Sequence, residues 1–120
     1  MKKLFYLSTC DTCQRIIKEV GITENEFAFQ DIKKEHISSE DLELVRKHVS
    51  AYEELFNKRS RKYKANGLKD RQFSDEEWKV LILGEYTFLK RPIVVSENEV
   101  FIGNSKKTVE ALKMALGYAE

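Results

Sequence analysis

The chain is sparing with the residues that mark special protein classes. Its 120 residues include two cysteines, one proline and two histidines. Two cysteines do not make a disulfide scaffold, and this length buries a core without staples. The formal net charge is +1, so no global field attracts nucleic acid or an anionic membrane, and any anion recognition must be local. No apolar run approaches the length of a membrane span, and the apolar stretch behind Met1 is too short for a signal peptide. Internal repeats, low-complexity tracts and metal, nucleotide or flavin motifs are absent from the sequence. The expectation is one domain, residues 1–120, in the cytoplasm, where thiols stay reduced.

Hydrophobic residues make up 42% and charged residues 34%, ordinary for a soluble globule. Leu4 to Leu7 is a short apolar run that fits a buried strand. The period then changes: Cys13, Ile16, Ile17 and Val20 share one helix face, and Gly21 supplies the C-terminal cap. Phe27, Phe29 and Asp31 alternate as a second strand does. Residues 2–32 thus read as β-α-β with parallel strands. The middle is helical, with Ser38 three residues before Asp41 and Ser74 three before Glu77 as capping signals. Leu42, Val45 and Val49 mark one apolar stripe, and Leu55 with Phe56 a second, short one. Trp78, Leu81 and Ile82 share another face. At least three helices are expected between Ser38 and Leu89. Ile93-Val94-Val95 and Val100-Phe101-Ile102, joined by a polar turn, form a hairpin. Asn104 or Ser105 caps a last helix whose inner face carries Val109, Leu112 and Leu116.

The predicted order is β-α-β, a helical block, then β-β-α. Without the block the remainder is a thioredoxin core, so the fold class is α/β, thioredoxin-like, with a helical insertion. The core is assigned to residues 1–36 and 90–120 and the insertion to about residues 37–89.

Cys10-Asp11-Thr12-Cys13 is a C-x-x-C motif between a strand and a helix. A thiol at a helix N-terminus faces unpaired N–H groups and the positive end of the dipole, which favour the nucleophilic thiolate. Cys10 receives this effect, although the carboxylate of Asp11 opposes it. Cys13 lies one turn on, on the apolar face. Cys10 therefore attacks and Cys13 can resolve, unless Cys13 is only a small core hydrophobe. The pair could instead be half a zinc site, with His36 and His48 completing it. Pro92 opens the third strand; a thioredoxin fold expects a cis bond there, against the general trans preference. Arg91 can place a guanidinium beside Cys10, stabilising a thiolate or gripping an oxyanion, or it can be a solvated surface residue. The basic run Asn57 to Lys64 reads equally as a solvated face, a source of a second anion-binding arginine, or a partner surface. Tyr63 within it does not make a nucleic-acid site, and no direct nucleic-acid contact is expected.

Tyr6, Cys10-x-x-Cys13-Gln14-Arg15, Gly21-Ile22, Asp31-Ile32-Lys33-Lys34, Asn57-Lys58-Arg59, Gly67-Leu68-Lys69-Asp70, Lys90-Arg91-Pro92-Ile93-Val94-Val95 and Gly103 occur in that order. Together they resemble the arsenate reductase (ArsC)/Spx family over nearly the whole chain. The resemblance implies a thioredoxin-like fold with a helical insertion and either of two activities. Arsenate reductases attack arsenate with the cysteine matching Cys10 and are regenerated by glutathione and glutaredoxin. Spx-type regulators use the C-x-x-C pair as a redox switch and bind RNA polymerase. Glutaredoxin-linked members hold the oxyanion with three arginines. Arg91 matches one; Asn57 and Asn104 stand at the other two positions, with Arg59 close to the first. Ala51 stands where Spx-type regulators use a glycine to contact polymerase.

The first expectation is therefore a thiol oxidoreductase of the arsenate reductase type. Cys10 is its nucleophile, Cys13 resolves, and Arg91 activates. Arg59, Arg91, Pro92 and Asn57 bind a small oxyanion or thiol substrate. No metal or bound cofactor is implied; glutathione with glutaredoxin, or thioredoxin, is the reductant. The alternative is a redox-sensing regulator that binds RNA polymerase.

Overall fold

The computed structural model describes residues 1–116. Along the chain run β1 (Lys2–Tyr6), α1 (Asp11–Val20), β2 (Ala28–Asp31), α2 (Ser39–Arg46), α3 (Arg61–Ala65), α4 (Asp75–Gly84), β3 (Ile93–Ser96), β4 (Glu99–Ile102) and α5 (Lys106–Leu116). Single 3-10 turns occupy Tyr52–Leu55, Leu68–Asp70 and Tyr86–Phe88. Two compact units result: Met1–Glu35 with the chain from Arg91 onward, and His36–Lys90.

The first unit carries a four-stranded sheet in the order β2-β1-β3-β4. β1 and β2 are parallel, while β1 with β3 and β3 with β4 are antiparallel. This is the thioredoxin-like β-α-β plus β-β-α arrangement expected from the sequence. Leu4 and Val94, partners in register, turn one sheet face toward Ile16 and Val20 of α1 and Val109 and Leu112 of α5, with Ile22 and Phe27 closing the cluster. α1 and α5 therefore share that face of the sheet. On the other face, Phe5 and Ile93 pair and are fully buried. Burial on both faces explains the continuous apolar runs of β1 and β3, where an edge strand would alternate.

Gly21 ends α1 in the left-handed region, φ 85°, and its N–H donates to the Ile17 carbonyl. This is the backbone state glycine adopts without penalty. The β3–β4 turn is tight, with Glu97 at φ 56°. Ser105 caps α5, its Oγ accepting the Thr108 N–H at 3.1 Å.

The His36–Lys90 unit is built from short elements around Phe56. Its ring meets those of Tyr63, Trp78 and Phe88, with centroids 4.8–5.2 Å apart. Tyr63, the aromatic in the basic run, is thus a core residue. Phe56 also bridges Leu89 antiparallel, and the Lys90 N–H donates to the Leu55 carbonyl at 2.9 Å. Ser74 and Glu77 form the full reciprocal capping box at the start of α4. Ser38 caps α2 through the Asp41 N–H at 3.0 Å.

Two details differ from the sequence reading. α2 stops at Arg46, one turn before Val49, because the Arg46 guanidinium folds back onto the Val49 carbonyl at 2.7 Å and pairs with Asp75. The Leu55–Phe56 stripe is a 3-10 turn rather than an α-helix, as Phe56 turns extended to make its bridge. Among the described residues no helix is long and apolar enough to cross a membrane.

Candidate active site

Cys10 is the N-cap of α1, in extended backbone at φ −96° and ψ 111°. Its N–H closes a turn on the Leu7 carbonyl at 3.0 Å, and its carbonyl accepts the first helical bond, from the Gln14 N–H at 3.1 Å. The chain thus leaves the buried end of β1, turns once and enters the helix with the Cys10 sulfur at its head. Cys10 is half-buried and Cys13 is fully buried; both are free thiols.

The neutral Cys10 thiol makes no capping hydrogen bond. Its thiolate is nevertheless favoured. Burial pushes the thiol up, but the Cys13 N–H, the Cys13 thiol and the Arg91 guanidinium together outweigh burial and hold Cys10 below the ordinary thiol value. A first-turn N–H and a guanidinium are the two groups the sequence placed beside this sulfur. Cys13 goes the other way. Burial, reinforced by the neighbouring Cys10 charge, pushes its thiol up to about 12 against the opposing pull of the Leu7 N–H and Arg91. One motif therefore holds a readily ionised thiol and a strongly protonated one.

Arg91 and Pro92 arrive on the segment leading into β3, and the peptide bond between them is cis. Pro92 is buried, and its carbonyl accepts the Gly103 N–H at 2.8 Å. Cys10, Cys13 and Arg91, with Pro92 next in the chain, form one constellation at the head of α1. Asn57 and Arg59 belong to the His36–Lys90 unit. There the Asn57 side chain is engaged locally: Nδ2 donates to the Thr87 carbonyl at 3.1 Å and Oδ1 accepts the Arg59 N–H at 3.2 Å. Arg59 and Asn104 are exposed, and Ala51 precedes the Tyr52–Leu55 turn. His36 sets Nε2 2.7 Å from the Ile82 carbonyl. Among the described residues no group of three or more His, Cys, Asp or Glu is placed to hold a metal.

The sequence reading assigned no role to Ser8, Gln14 or Asp31, which form a hydrogen-bonded set behind the Cys10 loop. Ser8 Oγ donates to Asp31 Oδ2 at 2.6 Å, and Gln14 Nε2 donates to the Ser8 carbonyl at 3.2 Å. No motif spacing signals a serine and an aspartate 23 residues apart.

A four-stranded sheet of this topology, with a pair of free thiols at the start of its first helix, defines a small thioredoxin-like thiol protein. Within that class the chain belongs to the ArsC family, whose profile matches residues 5–112. At family level this supports a thiol-based oxidoreductase. Among solved structures, an ArsC family related protein from Bacteroides fragilis is similar, with 25% identity, TM-score 0.75, and 92% of this chain and 97% of that one covered. An arsenate reductase from Vibrio cholerae shares the fold at 18% identity and TM-score 0.69, covering 92% of this chain and 93% of its own. So does an arsenate reductase (ArsC) related protein from Brucella melitensis, at 22% identity, TM-score 0.65 and 92% of each chain. No curated protein gives a significant sequence match.

Proposed function

We propose that the protein is a cytoplasmic thiol oxidoreductase of the arsenate reductase type, with Cys10 as nucleophile. The observation that carries this reading is the opposed pair: Cys10 held below the ordinary thiol value beside Arg91, and Cys13 pushed up to about 12 one turn behind. Arg91 attracts an oxyanion as readily as it stabilises the thiolate. Pro92, next to Arg91 in the chain, is assigned to the substrate-binding set.

In the reaction, the Cys10 thiolate attacks arsenic and an arsenate hydroxyl takes one proton from solvent and leaves as water, giving a sulfur–arsenic bond with arsenic still pentavalent. The Cys13 sulfur attacks Cys10 and gives up its proton to the departing arsenite. The sulfur–arsenic bond breaks with its electron pair on arsenic, which departs as trivalent arsenite, and a Cys10–Cys13 disulfide remains. Glutathione with glutaredoxin, or thioredoxin, returns two electrons and two protons.

The test is arsenate-dependent oxidation of the reduced protein, with and without glutathione and glutaredoxin, using Cys10→Ser as control. Turnover that disappears in the variant is the expected outcome. A second reading, a redox-sensing regulator of the Spx type that binds RNA polymerase, is favoured by the C-x-x-C pair and by asparagine at two of the three arginine positions. No arsenate turnover, with a Cys10–Cys13 disulfide forming under mild oxidant, is the result that moves the assignment there.

A further inference from the structure

The loop that delivers Cys10 to α1 is held by a carboxylate that the reaction above does not use. Asp31 is the last residue of β2 and pairs in register with Tyr6, the last residue of β1. Its Oδ2 accepts the Ser8 hydroxyl at 2.6 Å. Its Oδ1 lies 3.4 Å from the Ser8 N–H and 3.2 Å from the Lys33 N–H. On the other side of Ser8, Gln14 Nε2 donates to the carbonyl at 3.2 Å, while the Gln14 N–H donates to the Cys10 carbonyl at 3.1 Å. The hydroxyl, N–H and carbonyl of Ser8 are all tied, although the residue is exposed. Burial does not hold Ser8; polar bonds do.

We propose that Asp31 and Ser8 are positioning residues for the Cys10 nucleophile, a clamp that sets the β1–α1 loop so that the sulfur meets the Cys13 N–H and the Arg91 guanidinium. The proposal rests on Cys10 as the reactive thiol. Asp31 suits the role: burial pushes its carboxyl up, but Ser8, the Lys33 N–H and the Lys34 charge hold it below the usual carboxylate range, so it is a full acceptor at neutral pH. Lys34 and Tyr6 bear on Asp31 electrostatically, and Cys13 and Arg91 bear on Cys10.

Charge and positioning predict opposite signs. If Asp31 acted on Cys10 only through its negative charge, its removal would ease ionisation of the thiol. If it acts as a clamp, its removal lets the loop drift from the N–H and the guanidinium, and ionisation becomes harder. The experiment is the pH dependence of Cys10 alkylation by iodoacetamide, followed by mass spectrometry, in wild type, Asp31→Ala, Ser8→Ala and Ser8→Thr. Both alanine variants are expected to react roughly threefold or more slowly at neutral pH, with the profile displaced to higher pH, and Ser8→Thr, which keeps the hydroxyl, to stay near wild type. A profile displaced to lower pH in Asp31→Ala, or no change in Ser8→Ala, overturns the clamp. If Asp31→Ala loses its circular dichroism signature, Ser8→Ala decides alone, since it leaves the buried framework intact. Alkylation needs no arsenate, so failure of arsenate turnover bears on the proposed function and leaves this test standing.

Discussion

Cys10 and Cys13 share a motif and a helix, and three residues of separation give them opposite acid–base characters. The difference is environmental. The Cys10 sulfur stands at the helix head, half-buried, before a guanidinium; the Cys13 sulfur is enclosed. Arg91 bears on both. Its replacement by methionine keeps much of the side-chain volume and removes the charge. The Arg91→Met protein is expected to alkylate at Cys10 several-fold more slowly at neutral pH, with its rate profile moved to higher pH, as about one order of magnitude in thiolate fraction follows each unit of displacement. Peptide mapping after native alkylation checks this, with Cys13 remaining unlabelled. At this scale the placement of the two sulfurs was legible, because C-x-x-C after an apolar run marks both the helix start and the buried phase. It placed Asp31 in the second strand but gave no hint that Asp31 meets Ser8. Their partnership is created by β1 lying beside β2, and neither residue type carries a signal of it.

Elements with a strong period were legible, and those held by tertiary contacts were not. α1 shows its face in Cys13, Ile16 and Val20 and its end in Gly21. β3 is β-branched because it is buried on both faces. α4 begins where Ser74 and Glu77 cap each other. By contrast, the 3-10 turn at Tyr52–Leu55 and the early end of α2 depend on Asp75, which accepts the Tyr52 N–H at 2.7 Å and pairs with Arg46. A local window does not contain that partner. The cap of α4 supplies the test at this scale. Ser74→Ala removes one half of the box and is expected to lower stability by about 1 kcal/mol, with Ser74→Asp close to wild type. Urea unfolding monitored by the fluorescence of Trp78, which packs in the same helix, measures it.

Across the whole molecule, the two thiols couple folding to protons. The folded chain holds Cys10 below its ordinary 9.0, so it binds less proton there than the unfolded chain does. The contribution is fully present above 9.0 and is lost as pH falls through the folded value. Cys13 has the reverse sign: its folded value is raised to about 12, so its contribution is complete below 9.0 and is lost as pH climbs toward about 12. Folding therefore expels a proton at one sulfur on the acid side of 9.0 and captures one at the other on the alkaline side. The pair gives the reduced protein a stability maximum of its own near the ordinary thiol value. Joined as a disulfide, neither sulfur can ionise, and both slopes vanish together. Melting temperatures of the reduced and oxidised forms, measured from pH 6 to 11, should differ by a curve with a summit rather than by a constant offset. The redox state of the protein is thus expressed in a property of the entire fold, its buffering of the solvent when it unfolds.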